Sequence, residues 1–264
     1  MDQLIQTVIL SIIQGLTEWL PISSTGHLEI FRHLLNSSIP ALFEIILHIG
    51  TLSAVLLFFR KDIKNLLVAL ARLDFKTEDG QLIPMIVVAT LPTAILGVAY
   101  FELAESLFQN ILPVAIAFIL CGTLLYSSKA SKEKTDNITY LTAIAIGIAQ
   151  GIATVPGISR SGATITVALL LGIRREKAFT FSFLLSIPAI LGALLFTFYK
   201  QHDQLSASGI GWADILVGLT VTMIVGYLAL KLLRKIVLNR KFYLFAFYCW
   251  LLGALILVFS LNTF

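Results

Sequence analysis

Apolar residues in this chain do not alternate or recur on one face. They run in blocks of roughly the 17–25 residues that a bilayer-crossing helix requires. Six blocks, Ala41–Phe59, Leu82–Tyr100, Ile111–Tyr126, Ala178–Tyr199, Ile210–Leu230 and Phe242–Leu261, predict membrane-crossing helices. Two more, Leu4–Leu35 and Ile138–Ile173, are interrupted near the middle by polar loops, Pro21–His27 (P-I-S-S-T-G-H) and Pro156–Thr164 (P-G-I-S-R-S-G-A-T). Each half of an interrupted block is too short to cross, which predicts two re-entrant hairpins: a helix enters, breaks at the Ser/Gly loop, and a second helix leaves on the same side. Serine, threonine, histidine and arginine are costly at that depth unless they serve one another or a ligand.

The two loops align without gaps at an offset of 136 residues. Gln14, Gly15, Ile22, Ser23 and Gly26 then fall on Gln150, Gly151, Ile158, Ser159 and Gly162, Thr25 falls on Ser161, and Phe43 later meets Phe179. This predicts a duplication within a single membrane domain, with repeat 1 near residues 1–126 and repeat 2 near 138–264.

Charge fixes the expected orientation. If Arg60–Lys76 is cytoplasmic, alternation also places Lys129–Lys134, Arg174–Lys177 and Lys231–Lys241 inside, so that 16 of the 19 Lys and Arg residues share one side. Arg32 and Lys200 remain outside, and Arg160 lies in the second loop. Both termini are then expected to face outward, the first hairpin dips in from outside and the second from inside. Three crossings separate them, so the halves have opposite orientation, an arrangement that builds sites at mid-membrane.

Composition agrees: 58% of the 264 residues are hydrophobic and 13% charged, at a mean hydropathy of +0.91. These values exclude a soluble domain and predict an all-α polytopic membrane protein, six transmembrane helices plus two re-entrant hairpins in an inverted-topology repeat. The net charge of +4 sits beside apolar spans and reads as orientation, not as a nucleic-acid surface. Cys121 and Cys249, both in apolar runs, are expected to be buried free thiols. Met1-Asp2-Gln3 lacks the basic start of a signal peptide, so the first apolar run is expected to stay in the protein. Pro92, Pro113 and Pro188 read as helix kinks, and Asp214 as an interfacial residue.

The polar loops hold the candidate chemistry. Gln14 and Glu18, four apart, share one helical face just before Pro21. A carboxylate at this depth can be a base, a metal ligand or half of an ion pair with Arg160. Ser23, Ser24 and Thr25 supply hydroxyls, Gly26 permits a tight turn, and His27 exchanges protons near neutral pH. In the second loop Arg160 has the planar fork that suits phosphate oxygens, flanked by Ser159, Ser161 and Gly162. Loop N–H groups at helix starts also favour an anion. Glu44 and His48, one turn apart in the first full span, read as a supporting pair or as metal ligands. Together these groups suit phosphoryl transfer, which depends on positioning and charge stabilisation. The rival reading is a transporter or flippase that moves a lipid phosphate or small anion with the same Arg160 clamp. A membrane scaffold would leave two duplicated polar loops without purpose.

Gln14–His27 (Q-G-L-T-E-W-L-P-I-S-S-T-G-H) together with Pro156–Thr164, and Phe43–Thr51 (F-E-I-I-L-H-I-G-T), resembles the integral-membrane undecaprenyl-diphosphate phosphatases linked to bacitracin resistance. The resemblance covers essentially the whole chain. It implies hydrolysis of the C55 isoprenoid diphosphate to undecaprenyl phosphate and inorganic phosphate in the plasma membrane, which recycles the lipid carrier of cell-wall polymers. It also implies Ser24 as nucleophile, His27 as acid/base, with Glu18 as an alternative proton acceptor, and Ser159, Arg160 and Ser161 as a phosphate-binding loop. Gln14 and Glu18 match an acidic motif associated with a divalent cation, Mg²⁺ or Ca²⁺. Here the first position is an amide, so Glu18 must carry more of that role. Preferred chain length and a homodimer are not written in the sequence.

Overall fold

In a computed structural model, which describes residues 3–35, 43–100, 111–206 and 211–262, the chain is helical throughout. Among the described residues the only strand-like pairing is an isolated bridge between Thr135 and Ile173. Helices α1 (Gln3–Trp19) and α2 (Ser24–Leu35) form the first hairpin; α3 (Phe43–Phe58) and α4 (Arg60–Ala71) follow, then α5 (Glu78–Ala99) and α6 (Ile111–Ser127). The second hairpin is α7 (Tyr140–Ile152) and α8 (Arg160–Leu170), followed by α9 (Arg175–Ser206), α10 (Trp212–Leu238) and α11 (Phe245–Asn262).

Both interrupted blocks break where the polar loops predict. The first helix of each hairpin is inside-out. On α1, Leu4, Ile5, Ile12 and Leu16 are exposed while Thr7, Ser11, Gln14 and Thr17 are buried. On α7, Leu141, Ile144, Ile148 and Ile152 face outward and Ala143, Gly147, Gln150 and Gly151 inward. Apolar outside and polar inside is the pattern of a helix solvated by lipid.

Five helical segments are long and apolar enough to cross a bilayer: Glu78–Ala99, Ile111–Ala130, Arg175–Lys200, Trp212–Leu238 and Phe242–Ser260. The α3–α4 pair makes a sixth only if it is one span broken by a 78° bend. Residues 41 and 42 of the predicted span Ala41–Phe59, and residue 210 of Ile210–Leu230, lie outside the described residues, as do 1, 2, 263 and 264 at the termini. Two predicted boundaries move. The segment Arg60–Lys76, expected only as a connection, contains α4, which carries Arg60, Lys61 and Lys64 in its first half and the exposed Leu67, Val68 and Leu70 in its second. Such an amphipathic stretch suits a membrane surface better than a loop. Helix α10 runs past Leu230 to Leu238, because the basic residues Lys231, Arg234 and Lys235 are good helix formers.

The two halves interdigitate. The first hairpin's α1 lies along α10, the second hairpin's α7 lies along α5, and α6 packs on α11. Matching hydrogen bonds hold the two crossings. Thr222 on α10 donates to the Ser11 carbonyl of α1 at 3.3 Å, and Thr93 on α5 donates to the Gly147 carbonyl of α7 at 2.9 Å. Ser11 and Gly147 are themselves 136 residues apart. Asp214 in the first turn of α10 accepts from Gln3 at 3.0 Å and Thr7 at 2.9 Å, so this interfacial carboxylate pins the start of α1.

Candidate active site

The tips of the two hairpins meet. The Gly157 N–H donates to Ser23 Oγ at 3.1 Å, across 134 residues of sequence, and Ser161 Oγ donates to the Trp19 carbonyl at 2.9 Å. Each tip reverses through a left-handed residue, Gly157 at φ +94° in the second and Ser23 at φ +64° in the first. A side chain is strained there, and Ser23 carries that strain beside Ser24. The thiols of α6 and α11 close the tips from behind: Cys121 Sγ accepts from the Ser159 N–H at 3.3 Å, and Cys249 donates to the Pro21 carbonyl at 3.7 Å. Both are free and buried, as their apolar settings predict.

Glu18, in the last turn of α1, is the centre of the cluster. Its Oε1 takes the Arg160 Nη2 at 2.5 Å. Its Oε2 accepts from Ser24 Oγ at 2.6 Å and from Gln14 Nε2 at 3.1 Å, and His48 Nε2 stands 3.8 Å away. The side chain is 8% exposed and that of Arg160 16%, so both charges are largely removed from solvent and depend on each other. The guanidinium also lies over the fully buried Trp19 ring, 5.1 Å from its centroid, and Trp19 packs edge-on against Phe183. Three polar atoms in this cluster have no partner: the donors Arg160 Nη1 and Trp19 Nε1, and the acceptor Gln14 Oε1. A buried unsatisfied atom points to a ligand or ordered water.

The remaining loop residues hold the backbone. Ser159 caps α8, its Oγ accepting from the Gly162 N–H at 3.2 Å, and it lies 3.2 Å from Ser161 Oγ. The corresponding pair in the first tip, Ser23 and Thr25, lies at 3.5 Å. Gly26 lets α2 approach α6, because a Cβ there would fall 2.7 Å from the Phe118 ring. His27 is turned away from this cluster. Its two ring nitrogens are taken by the Ser23 carbonyl at 2.7 Å and the Tyr248 hydroxyl at 2.6 Å. His48 Nδ1 bonds the Glu44 carbonyl at 2.8 Å, which aims its Nε2 at Glu18.

The structure therefore brings Gln14, Glu18, Ser24, His48 and Arg160 together, whereas His27 is held outside that cluster by the Ser23 carbonyl and Tyr248. Sequence reading missed Tyr248, which lies 221 residues from its partner in an apolar helix. Among the described residues no three His, Cys, Asp or Glu side chains gather as a metal cluster. Glu18 and the unpartnered Gln14 Oε1 are nevertheless hard oxygen donors of the kind Mg²⁺ and Ca²⁺ use.

A helical fold with several bilayer-length apolar helices, closed around one buried carboxylate–guanidinium–hydroxyl cluster, defines a polytopic membrane protein. Residues 7–255 match the family described as bacitracin resistance protein BacA, and the chain belongs to that family. Similar curated proteins bear the name undecaprenyl-diphosphatase. The one from Desulforapulum autotrophicum is 40% identical, covering 97% of this chain and 98% of that protein. Those from Carboxydothermus hydrogenoformans (40% identical, 96% of both chains) and Treponema denticola (41% identical, 94% of both) match as fully.

Proposed function

We propose that the chain is an undecaprenyl-diphosphate phosphatase. It hydrolyses the C55 isoprenoid diphosphate to the monophosphate and inorganic phosphate and thereby recycles a cell-wall lipid carrier. Family membership and near-full-length relatives of that name support the reaction. The observation that carries the site is the single carboxylate of Glu18 bonded at once by a hydroxyl, Ser24, and by a guanidinium, Arg160, that still has a free buried donor.

The substrate's head group enters between the hairpin tips while its tail stays in the bilayer. Arg160 turns from Glu18 toward the terminal phosphate, and its Nη1 together with the Arg160 and Ser161 N–H groups at the start of α8 neutralises the developing charge. The Ser24 hydroxyl, or a water in its place, attacks the terminal phosphorus as the bond to the bridging oxygen breaks, and polyprenyl monophosphate leaves. Glu18 Oε2, already accepting the Ser24 hydrogen bond, takes the proton, with His27 as the neighbouring proton-exchanging group. If Ser24 attacks, water then releases phosphate from it. Ser23, Thr25, Gly26, Ser161 and Gly162 shape the cradle, and Glu44 orients His48. A divalent cation would be held by Glu18 and Gln14 Oε1 and would supply further charge neutralisation to the diphosphate.

In the membrane the chain makes six crossings, α3 with α4 counting as one, and the two hairpins are re-entrant and inverted relative to each other. The reciprocal contacts of α1 with α10 and α7 with α5 support this, as does the clustering of Lys and Arg. On that charge rule both termini and the opening face outward. Assembly as a homodimer is compatible with this topology.

The test is phosphate release by purified protein from C55 and shorter isoprenoid diphosphates, with added Mg²⁺ or Ca²⁺, with chelator, and with Arg160→Ala. Release that chelator and Arg160→Ala both abolish supports the proposal. Wild-type protein releasing none with metal present would instead favour transport of a lipid phosphate, the other use to which interdigitated hairpins lend themselves.

A further inference from the structure

The environment of His27 fixes more than its position. A carbonyl oxygen only accepts, so the 2.7 Å contact to Ser23 O puts the neutral ring's proton on Nδ1. Nε2 is then the acceptor, and the Tyr248 hydroxyl donates to it at 2.6 Å. The two rings stack with centroids 5.7 Å apart at 11°, and Phe118 meets the imidazole edge-on at 5.6 Å. His27 is 5% exposed and Tyr248 42%, so the tyrosine is the wall between the imidazole and the lipid.

The second hairpin tip and the helix behind it lack both members of this pair. At the hairpin offset His27 corresponds to Ala163. Cys121 and Cys249 each touch one hairpin tip, which registers α6 against α11. In that register the counterpart of Tyr248 is Leu120, an exposed aliphatic residue. At this register a tyrosine stands on the helix that faces His27 and a leucine on the helix that faces Ala163.

We propose that Tyr248 is a positioning residue for His27. The Ser23 carbonyl sets the Nδ1–H tautomer; the Tyr248 hydroxyl donates to the remaining nitrogen, Nε2, and its stacked ring fixes the imidazole plane. This rests on the reading that His27 exchanges a proton during phosphate transfer. With the hydroxyl removed Nε2 loses its donor and the ring is free to tilt, and part of the catalytic contribution of a placed acid/base is lost.

The test uses the full-length protein in lipid nanodiscs, with Tyr248→Phe, His27→Ala and the double variant assayed for phosphate release from C55 diphosphate. Tyr248→Phe keeps the stacked ring and is expected to lower kcat about tenfold with KM within about twofold. In the His27→Ala background the same change is expected to have no further effect, which a merely structural tyrosine would not satisfy. Nitrogen NMR of labelled histidine gives a readout independent of turnover: an Nδ1–H tautomer for His27 in both proteins, with the Nε2 resonance displaced in Tyr248→Phe by loss of the hydrogen bond it accepts. Undiminished kcat in Tyr248→Phe, an equal loss in both backgrounds, or an unchanged Nε2 resonance would overturn the proposal. A wild-type protein that releases no phosphate would overturn the functional reading instead, leaving the pairing to be judged by the NMR signature alone.

Discussion

The two hairpins share a skeleton and differ in chemistry. At the common offset Ser24 and Arg160 occupy the same place, the first residue of the outgoing helix, and both bind Glu18. Corresponding positions of the two hairpins therefore supply a hydroxyl and a guanidinium to the same carboxylate. Glu18, by contrast, has Thr154 as its counterpart, whose hydroxyl merely bonds the Gly151 carbonyl at 2.8 Å, and Gln14 has Gln150, which donates to Thr93 at 3.4 Å. The first hairpin carries the carboxylate and the second the cation, so the cluster draws on both hairpins.

That division is open to test. The largest effect is expected from Glu18→Gln, which removes the negative charge that Ser24 and Arg160 share: kcat should fall about 10³-fold or more in a phosphate-release assay. If turnover survives, the asymmetry is not functional. Gly157→Ala comes next. Its Cβ would sit 2.7 Å from Ala117 Cβ and the Val114 carbonyl at φ +94°, so thermal unfolding in detergent should show about 2–4 kcal/mol of lost stability. Ser159→Ala deletes the α8 cap and should cost about 1 kcal/mol by the same measurement, with activity reduced less than about tenfold. The smallest effect belongs to Thr154→Ala. If the second hairpin has no acid role at this position, phosphate release stays within about twofold of wild type.

What the sequence discloses follows from how local each signal is. The hairpins were legible because a polar loop inside an apolar block is too costly in lipid to be incidental. The Gln14–Glu18 pair was legible because positions four apart share a helix face. The Glu18–Arg160 contact appeared only as one of several options, since nothing in the chain fixes a contact 142 residues long. Helix α4 was hidden because it is short and charged and fails a test built on long apolar runs. Tyr248 was hidden for the opposite reason: an aromatic residue in a crossing helix looks like an ordinary membrane-interface tyrosine until its partner is known.

The bonds between the tips also impose an order on biosynthesis. Ser23 leaves the ribosome early, yet the amide that satisfies it lies 134 residues downstream, and the thiol that caps Pro21 lies 228 residues downstream, near the end of the chain. Throughout that interval the nascent first hairpin holds Ser23 and the Glu18 carboxylate in oil without their later partners, Gly157 and Arg160. Insertion machinery, water or lipid head groups must shelter it until the last helix arrives, so truncation anywhere before α11 leaves a polar wound in the membrane rather than a smaller enzyme.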